Sequence, residues 1–431
     1  KKIRSVNDLR TITKEVLNGL NDETQNIDRA KIIEDNKKVI IKECETSDDI
    51  ECRVRSFFSG ETYKLEKVLK IKDVRLVYAP PSYIGEYGGE IDNWMYPRHT
   101  GDFALLRAYI AKDGSSKEFD EKNIPYQSDS FLKISAKGIE DGDFVMVVGY
   151  PGRTNRTITF NEIKWDIEVG FNEYVKYLKR GIELIDENTN SSDGSSLKYR
   201  GSKSGYENYY KKISGQIDGA KNFKLIESEN IKWQNFLDYV ENKSSKTDKS
   251  FFYELIDLID QEQQKAISRR YYGSSSLISQ AKRIYRNAFE REKADSERKP
   301  GYQERDQERI TNRIKRLDYS FDYRVDQAIF LDRLMTYKTF DTSLRRPTYS
   351  NLLGLDKSEK IILSKVDEIY STKYKTSKNF LQMMNMSLNE LNKSNDPLII
   401  FAKETFEESL KYEKEFEEIG AKRQLLKSKF I

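Results

Sequence analysis

The chain has 431 residues, of which 34% are charged, and its 75 basic and 71 acidic side chains give a formal net charge of +4. This length supplies enough apolar residues for two or three domains with buried cores. The near balance of charge argues against a dedicated nucleic-acid-binding protein, and no apolar run reaches the roughly 18 residues that a membrane-spanning helix needs.

The first third of the chain changes from a helical pattern to a β-type pattern. Residues 12–43 carry apolar side chains at helical spacing and predict helices. Between residues 52 and 160, short runs rich in β-branched and aromatic residues alternate with turn residues, which is typical of strands. The predicted strands are residues 52–58, 63–71, 74–79, 103–110, 131–135 and 143–150. Their spacing of about ten residues favours an antiparallel barrel or sandwich over β-α-β units.

After residue 160 the pattern is helical almost to the end, with apolar residues three or four positions apart. Turn-forming residues interrupt it at 189–205, among other places. A β domain followed by a mostly helical domain predicts an α+β fold. Within the helical part, residues 280–317 hold 12 basic and 7 acidic side chains. This run would suit a nucleic-acid contact, but the interspersed carboxylates favour the solvated face of a helix.

The two cysteines, Cys44 and Cys52, are separated by seven residues. They would suit a small disulfide loop in an oxidising compartment or two free thiols in the cytosol, and the spacing does not decide between these. Two Cys and one His cannot supply the usual four ligands of a zinc site without help from carboxylates, so no metal is expected.

A glycine-rich loop, GEYGGEIDNWMYPRHTGDF at residues 85–103, lies between two predicted strands. It contains the single histidine of the chain, His99, with Asp92 and Asp102 nearby. Histidine titrates near neutral pH, which suits acid–base chemistry, but a histidine in a turn is also a common structural hydrogen-bonding group. The chain has no GxSxG, GxGxxG, Walker or HExxH motif. The loop alone therefore predicts a functional site of unassigned chemistry.

Three segments around this loop resemble the S46 peptidases, the bacterial dipeptidyl peptidases 7 and 11 and their relatives. They are APPSYIGEYGG at 79–89, DNWMYPRHTGDF at 92–103 and VMVVGYPGRTNR at 145–156. The resemblance implies a trypsin-like double β-barrel with a large α-helical cap. Residues 1–155 would then form part of the catalytic β-barrel domain, mainly its N-terminal barrel, and residues 156–431 the helical cap.

The resemblance assigns the acidic member of a Ser-His-Asp triad to Asp102 of the HTGDF element. Such a carboxylate accepts the Nδ1–H of the catalytic imidazole, fixes its tautomer and stabilises the imidazolium. His99 is not expected to be the catalytic histidine, because the family places that residue upstream and the nucleophilic serine in a GNSGSP-type element downstream. With one triad member of three, the chain as given is expected to be inactive alone.

The resemblance also places Asn93 and Trp94 at the site that holds the substrate's free α-amino group. The side-chain oxygen of Asn93 would accept a hydrogen bond from the ammonium group, and the indole face of Trp94 would attract its charge. For Trp94, packing under the loop is the alternative. A second anchor would be Asn208 in ENYYKKISGQIDG at 207–219, where two aromatic positions of the family motif carry different residues.

The resulting prediction is a serine exopeptidase that releases dipeptides from the free N-terminus of oligopeptides by acyl transfer, without a cofactor. The resemblance further implies a disulfide between Cys44 and Cys52, a homodimer, and a periplasmic, cell-surface or secreted location in a bacterium. Two alternatives stay open: a catalytically inactive peptide-binding relative, and a helical scaffold that binds nucleic acid through residues 280–317.

Overall fold

The computed structural model describes residues 3–21, 24, 26–128, 130–147, 158–273 and 275–430. The chain divides into two compact units. The first unit comprises Lys1–Gly89, Pro97–Thr159 and Lys427–Ile431, and the second comprises Glu90–Tyr96 and Phe160–Leu426. The seven residues Glu90–Tyr96 of the glycine-rich loop therefore belong with the unit formed by the second half of the chain.

Two antiparallel three-stranded sheets dominate the described part of the first unit. In the first sheet, β3 (Thr62–Ile71) lies between β1 (Ile3–Thr11) and β2 (Ile50–Phe57). In the second sheet, β5 (Leu105–Ile110) lies between β4 (Asp73–Tyr78) and β6 (Ile124–Pro125).

Helices α1 (Thr13–Val16) and α2 (Asn26–Cys44) pack against the first sheet, and a 3-10 turn lies at Phe58–Gly60. A one-turn helix, α3 (Ser82–Gly85), leads into the glycine-rich loop. Ile12, Val16 and Tyr63 are fully buried in the core between α1, α2 and the first sheet. A disulfide joins Cys44 at the end of α2 to Cys52 on β2, as the resemblance implied.

Four of the six predicted strands are confirmed, and two are not. Residues 131–135 are not a strand, because their apolar side chains are exposed and no neighbouring strand pairs with them among the described residues. Residues 143–147 are also outside any strand, whereas 148–150 and the whole GYPGRTNR motif at 149–156 lie outside the described residues. Strand β1 was not predicted, because its polar and charged residues, IRSVNDLRT, hide its pairing with β3.

The second unit is almost entirely helical, which confirms the predicted α+β fold. After α4 (Phe160–Trp165), a π-helical turn at Asp166–Gly170 leads into α5 (Phe171–Asn188). The following helices are α6 (Ser195–Asn222), α7 (Leu225–Lys243), α8 (Lys246–Tyr271), α9 (Ser276–Arg291), α10 (Glu304–Lys315), α11 (Leu317–Ser320), α12 (Tyr323–Lys338), α13 (Pro347–Leu353), α14 (Glu359–Tyr370), α15 (Ser377–Met384), α16 (Leu388–Asn392), α17 (Pro397–Glu404) and α18 (Phe406–Phe430). Short 3-10 turns lie at Asp295–Glu297 and Thr342–Leu344. Among the described residues, no helix is both long and apolar enough to cross a bilayer.

The main core of this unit surrounds α9, α12, α14 and α17. A buried carboxylate, Asp326 on α12, fixes the start of α9 by accepting hydrogen bonds from the backbone N–H groups of Ser276 (2.7 Å) and Leu277 (3.2 Å). The hydroxyl groups of Tyr370 and Ser275 donate to the same carboxylate. Burial raises the pKa of Asp326, and these four donors oppose that shift by stabilising the charged form.

The basic segment 280–317 does not form an uninterrupted positive surface. Arg286 is paired with Glu290 and Glu413, and Arg291 donates to the backbone carbonyls of Met384 and Met386. Much of α9 is buried in the main core. The charges of this segment therefore hold helices together, which favours the structural interpretation over a nucleic-acid contact.

Candidate functional site

Within the first unit, the two ends of the glycine-rich loop are held close together. The backbone N–H of Gly101 donates to the carbonyl oxygen of Ile84 (2.9 Å), and the hydroxyl of Thr100 donates to the carbonyl oxygen of Tyr87 (2.7 Å). A Cβ at position 101 would lie 2.7 Å from Cγ2 of Ile84, so only glycine permits this approach. The close approach of the chain to Ile84 therefore explains why a glycine, Gly101, precedes Asp102.

Asp102 lies between Gly101 and β5, outside any regular element. Its side chain is exposed, and so is the side chain of His99. An exposed carboxylate next to a hydrogen-bonded loop closure is accessible to a partner group. The assignment of Asp102 as the triad acid stays a prediction.

The second unit brings together the three residues predicted to anchor an amino group. The side-chain oxygen of Asn208 on α6 accepts hydrogen bonds from the side-chain amide of Asn93 (2.8 Å) and from the indole Nε1–H of Trp94 (2.9 Å). Asn93 and Asn208 are 115 residues apart in sequence. One oxygen atom therefore joins the segment Glu90–Tyr96, which we call the anchor segment, to the middle of α6.

Further contacts fix the backbone of the anchor segment on α6. The ammonium group of Lys211 donates to the carbonyl oxygens of Glu90 (2.7 Å) and Ile91. The carboxylate of Glu90 accepts hydrogen bonds from the amide of Asn93 (3.0 Å) and from the hydroxyl of Ser204 (3.4 Å). These contacts use donors from two successive turns of α6, so they define the position of the segment along the helix.

Trp94 adopts a left-handed backbone conformation, with φ of 59°. This conformation is uncommon for a bulky residue and persists only where surrounding contacts impose it. Here the indole hydrogen bond to Asn208 and the bonds from Lys211 impose it. The residue is 57% exposed, which favours an accessible side chain over packing under the loop.

Charged side chains surround the anchor segment. The ammonium group of Lys212 lies 5.8 Å from the ring centroids of both Trp94 and Tyr209, within the range of a cation–π contact. Burial raises the pKa of Glu207; the charge of Lys203 opposes this, and the charge of Glu90 adds to it. The site combines amide oxygens, a carboxylate and aromatic rings, which bind and orient cations, with the ammonium groups of Lys211 and Lys212 beside them.

Among the described residues, no group of three or more His, Cys, Asp and Glu side chains is arranged to hold a metal ion.

Comparison with known proteins identifies the family. The sequence model of the family Peptidase S46 matches residues 1–431. The chain belongs to the S46 peptidases. This confirms the resemblance inferred from the loop motifs.

Named S46 relatives cover most of the chain. The Asp/Glu-specific dipeptidyl-peptidase of Shewanella putrefaciens is 37% identical over 90% of this chain and 53% of its own length. Dipeptidyl-peptidase 7 of Capnocytophaga gingivalis is 29% identical over 66% of this chain and 40% of its own length. The chain thus spans about half the length of the curated relatives it matches.

A solved structure shows the same fold. The crystal structure of Porphyromonas endodontalis DPP11 in complex with the dipeptide Arg-Asp superposes with a TM-score of 0.73 at 22% identity. The match covers 100% of this chain and 62% of that protein.

The sequence analysis did not identify four residues that contact or surround the anchor segment, namely Glu90, Ser204, Lys211 and Lys212. For two of them, the spacing in the sequence could have indicated a position at the site. Glu90 precedes Asn93 by three residues, and Lys211 follows Asn208 by three residues, which places it on the same face of a helix. The role of Lys211 as a donor to backbone carbonyls has no sequence signature, because any residue supplies such carbonyls.

Proposed function

We propose that the protein carrying this chain is a serine-type dipeptidyl peptidase that removes dipeptides from the free N-terminus of oligopeptides. In this proposal Asn93, Trp94 and Asn208 bind the substrate's α-ammonium group. The observation that carries the proposal is the junction at Asn208, whose side-chain oxygen accepts hydrogen bonds from both anchor-segment residues. The membership in the S46 family supports the same reaction class.

The orientation of the Asn93 amide suits an ammonium ligand. Its nitrogen donates to both Asn208 and Glu90, so turning the amide over would break two hydrogen bonds. The amide nitrogen is thereby fixed as the donor of this side chain and Oδ1 as its acceptor. The carboxylate of Glu90, bonded to the same amide, adds a negative charge that favours a cation at this place.

The amino-group anchor explains why two residues would be removed rather than one or many. A rigid anchor at a fixed distance from a nucleophile selects the peptide bond that reaches the nucleophile. A serine would attack the carbonyl after the second residue, form an acyl-enzyme and release it by hydrolysis. Asp102 would orient the histidine that takes the proton from the serine.

In this proposal the chain contributes one triad member, and the histidine and serine come from the rest of the protein. His99 is the single histidine of the chain, and it lies three residues from Asp102 in the same loop. The chain spans about half the length of its curated relatives, which leaves room for the two other residues. The isolated chain is then inactive, because a triad acts as a unit.

The double β-barrel, with residues 1–155 in the catalytic domain and 156–431 as the cap, is part of the same proposal. It is supported by apolar side chains that the first unit leaves exposed, among them Phe131, Leu132, Ile134, Phe144 and Val147. Val147 is 100% exposed. Apolar side chains exposed in this number favour covering by further structure, which additional barrel strands would provide.

An exported location and a homodimer complete the proposal. The disulfide between Cys44 and Cys52 supports an oxidising compartment such as the periplasm or the cell surface. The homodimer is carried over from the family resemblance.

The proposal predicts that the full-length protein releases dipeptides from peptides with a free amino group and that Asp102→Asn abolishes most of this activity. Loss of the triad acid lowers kcat by about 10³- to 10⁴-fold with little change in KM, since the imidazole loses its orienting partner. The measurement is steady-state kinetics on free-amine dipeptidyl reporters. Asp141→Asn, at an exposed turn of the same unit, serves as the matched control and is expected to keep wild-type activity.

Two results would contradict the proposal. Asp102→Asn with at least a tenth of wild-type kcat would remove this residue from the mechanism. A wild-type protein that binds peptides but releases no dipeptide from any of them would be a peptide-binding relative instead.

A further inference from the structure

A lysine already occupies the aromatic face beside the proposed amino-group anchor. Lys212 lies one helical turn after Asn208 on α6, and its ammonium group is 5.8 Å from the ring centroids of Trp94 and of Tyr209. Both rings are about half exposed, at 57% and 48%. One cation near the indole face is therefore a residue of the protein, and the substrate's α-ammonium group would lie beside it, between the asparagine amides and Trp94.

The charge of Lys212 is not neutralised by a neighbour. In the part of the chain that the structure describes, no carboxylate forms an ion pair with its ammonium group, whereas Lys203 on the same helix pairs with Asp186 and Glu207. Lys211 is engaged with the carbonyl oxygens of Glu90 and Ile91. Lys212 thus contributes a positive charge to the surface next to the anchor, opposite in sign to that of Glu90.

The first side chain of a bound peptide must lie within reach of this potential. Its Cα atom is bonded directly to the anchored nitrogen, at about 1.5 Å, so the side chain starts beside Asn208. Lys212 lies four residues after Asn208 on the same helix, which is a rise of about 6 Å. Both distances are shorter than the Debye length of about 8 Å at physiological salt, so the first side chain would lie in the region where the charge of Lys212 is only partly screened.

We propose that Lys212 sets the charge preference for the first residue of the substrate: it disfavours Lys and Arg there relative to neutral and acidic side chains. The inference rests on the proposed function, in which Asn93, Trp94 and Asn208 hold the α-amino group. It adds a specificity-determining residue to that site and leaves the reaction itself unchanged.

The test compares three free-amine dipeptidyl reporters on the full-length protein. They carry Arg, Leu or Glu as the first residue and share one second residue, chosen as the one that the wild-type protein cleaves fastest. We expect Lys212→Gln to raise the ratio of kcat/KM for the Arg reporter to that for the Glu reporter by about three- to tenfold, and Lys212→Glu to raise it further. Because the ratio is taken within each variant, a general loss of activity does not affect it.

A matched control removes the positive charge of another lysine on α6, farther from the anchor than Lys212. Lys221 is an exposed residue in the last turn of α6, nine positions or about 13 Å beyond Lys212. Lys221→Gln is expected to leave the ratio unchanged. A second measurement needs no substitution: raising the salt concentration from about 0.05 M to about 0.5 M is expected to raise the wild-type ratio, because salt screens the charge of Lys212.

The outcomes separate this inference from the proposed function. If the wild-type protein releases dipeptides, but the ratio is the same in wild type, Lys212→Gln and Lys212→Glu, then Lys212 does not set the preference and the proposed function stands. If the wild-type protein releases no dipeptide from any of the three reporters, the proposed function fails, and the inference fails with it.

Discussion

The side-chain oxygen of Asn208 is the point at which the anchor segment meets α6. It accepts two hydrogen bonds, one from the amide of Asn93 and one from the indole of Trp94. Neither aspartate nor leucine at position 208 would replace this neutral acceptor. Aspartate would add a charge, and leucine would leave the two donors without their acceptor. The identity of residue 208 therefore matters for the position of Asn93 and Trp94 as well as for any ligand.

At the residue scale, a second side chain gives a pH-dependent prediction. Asp166 begins the π-helical turn before α5, and its pKa is raised to about 6. Burial is the main cause and the nearby charge of Glu162 adds to it, whereas Arg270 opposes it. Because the unfolded chain releases this proton near pH 4 and the folded protein only near pH 6, the free energy of unfolding falls as pH rises between these values.

We therefore predict that Asp166→Asn stabilises the protein at neutral pH. The substitution removes the penalty of ionising Asp166, so the variant gains about 1–2 kcal/mol over wild type at pH 7.5, after allowance for partial solvent screening. At pH 4 the gain disappears, because Asp166 is then protonated in the folded protein. Denaturant unfolding of both proteins between pH 4 and pH 8 measures the difference.

The control for this prediction is Glu168→Gln, at an exposed carboxylate in the same π-helical turn. An exposed substitution of this kind is expected to change stability by about 0.5 kcal/mol or less at every pH. If Asp166→Asn and wild type keep a constant difference from pH 4 to pH 8, the perturbed ionisation of Asp166 is refuted.

At the scale of elements, the packing of α5 on α6 positions the helix that carries Asn208. Gly181 on α5 faces the ring of Tyr206 on α6 and the guanidinium group of Arg333 on α12. The Arg333 side chain is buried, stacks on the Tyr177 ring at 3.7 Å and donates to the Tyr177 carbonyl oxygen. These neighbours have little freedom to move, so the helices approach closely only where α5 has no side chain.

We predict that Gly181→Ala destabilises the protein, although alanine is the better helix former. A Cβ at this position would lie 2.6 Å from Cε2 of Tyr206 and 2.9 Å from Nη2 of Arg333. Overpacking of a rigid contact costs about 1–3 kcal/mol, which exceeds the gain of about 1 kcal/mol in helix propensity. Thermal or denaturant unfolding measures the change.

Gly215 on α6 provides the matched control, because a Cβ there meets nothing within 4 Å. Gly215→Ala is expected to stabilise the protein by about 0.5–1 kcal/mol through helix propensity alone. Should Gly181→Ala stabilise the protein as much as Gly215→Ala does, the close contact between α5 and α6 does not exist.

Helix α6 also shows where sequence patterns fail at this scale. The turn-forming residues at 189–205 predicted a long break, but the break ends at Gly194 and α6 starts at Ser195. Gly201 and Gly205 lie inside the helix, where each costs up to about 1 kcal/mol in propensity. Packing against α5 compensates for this cost, and such tertiary compensation is not visible in a local window of sequence.

Strand prediction failed for a related reason. Strand β1 has a polar sequence and owes its form to pairing with β3, whereas residues 131–135 have the apolar composition of a strand but lack a partner among the described residues. A pattern of residues predicts which face of a strand is buried, yet a strand exists only where a neighbour accepts its hydrogen bonds. The confirmed strands β2 to β5 had both a suitable pattern and a partner.

At the scale of the whole molecule, the chain forms two compact units, and the anchor segment belongs to the helical one although its flanking residues belong to the other. The local pattern of the loop marked residues 85–103 as unusual through glycines, Trp94 and His99. It could not connect Asn93 to Asn208, because 115 residues separate them and no periodicity links a loop to a helix face. The family resemblance supplied that connection, and the structure brings the two residues within hydrogen-bonding distance.

The most direct test of the anchor is the effect of Asn208→Ala on how well the full-length protein distinguishes a dipeptide from its N-acetylated form. The measurement is the ratio of their inhibition constants in competition with a reporter substrate. We predict that the wild-type protein strongly prefers the free dipeptide and that Asn208→Ala reduces this preference by about 10- to 100-fold, as loss of hydrogen bonds to a charged group does. Asn222→Ala, at the exposed end of α6, is expected to keep the wild-type ratio. An unchanged ratio in Asn208→Ala would contradict the assignment of this site to the substrate's amino group.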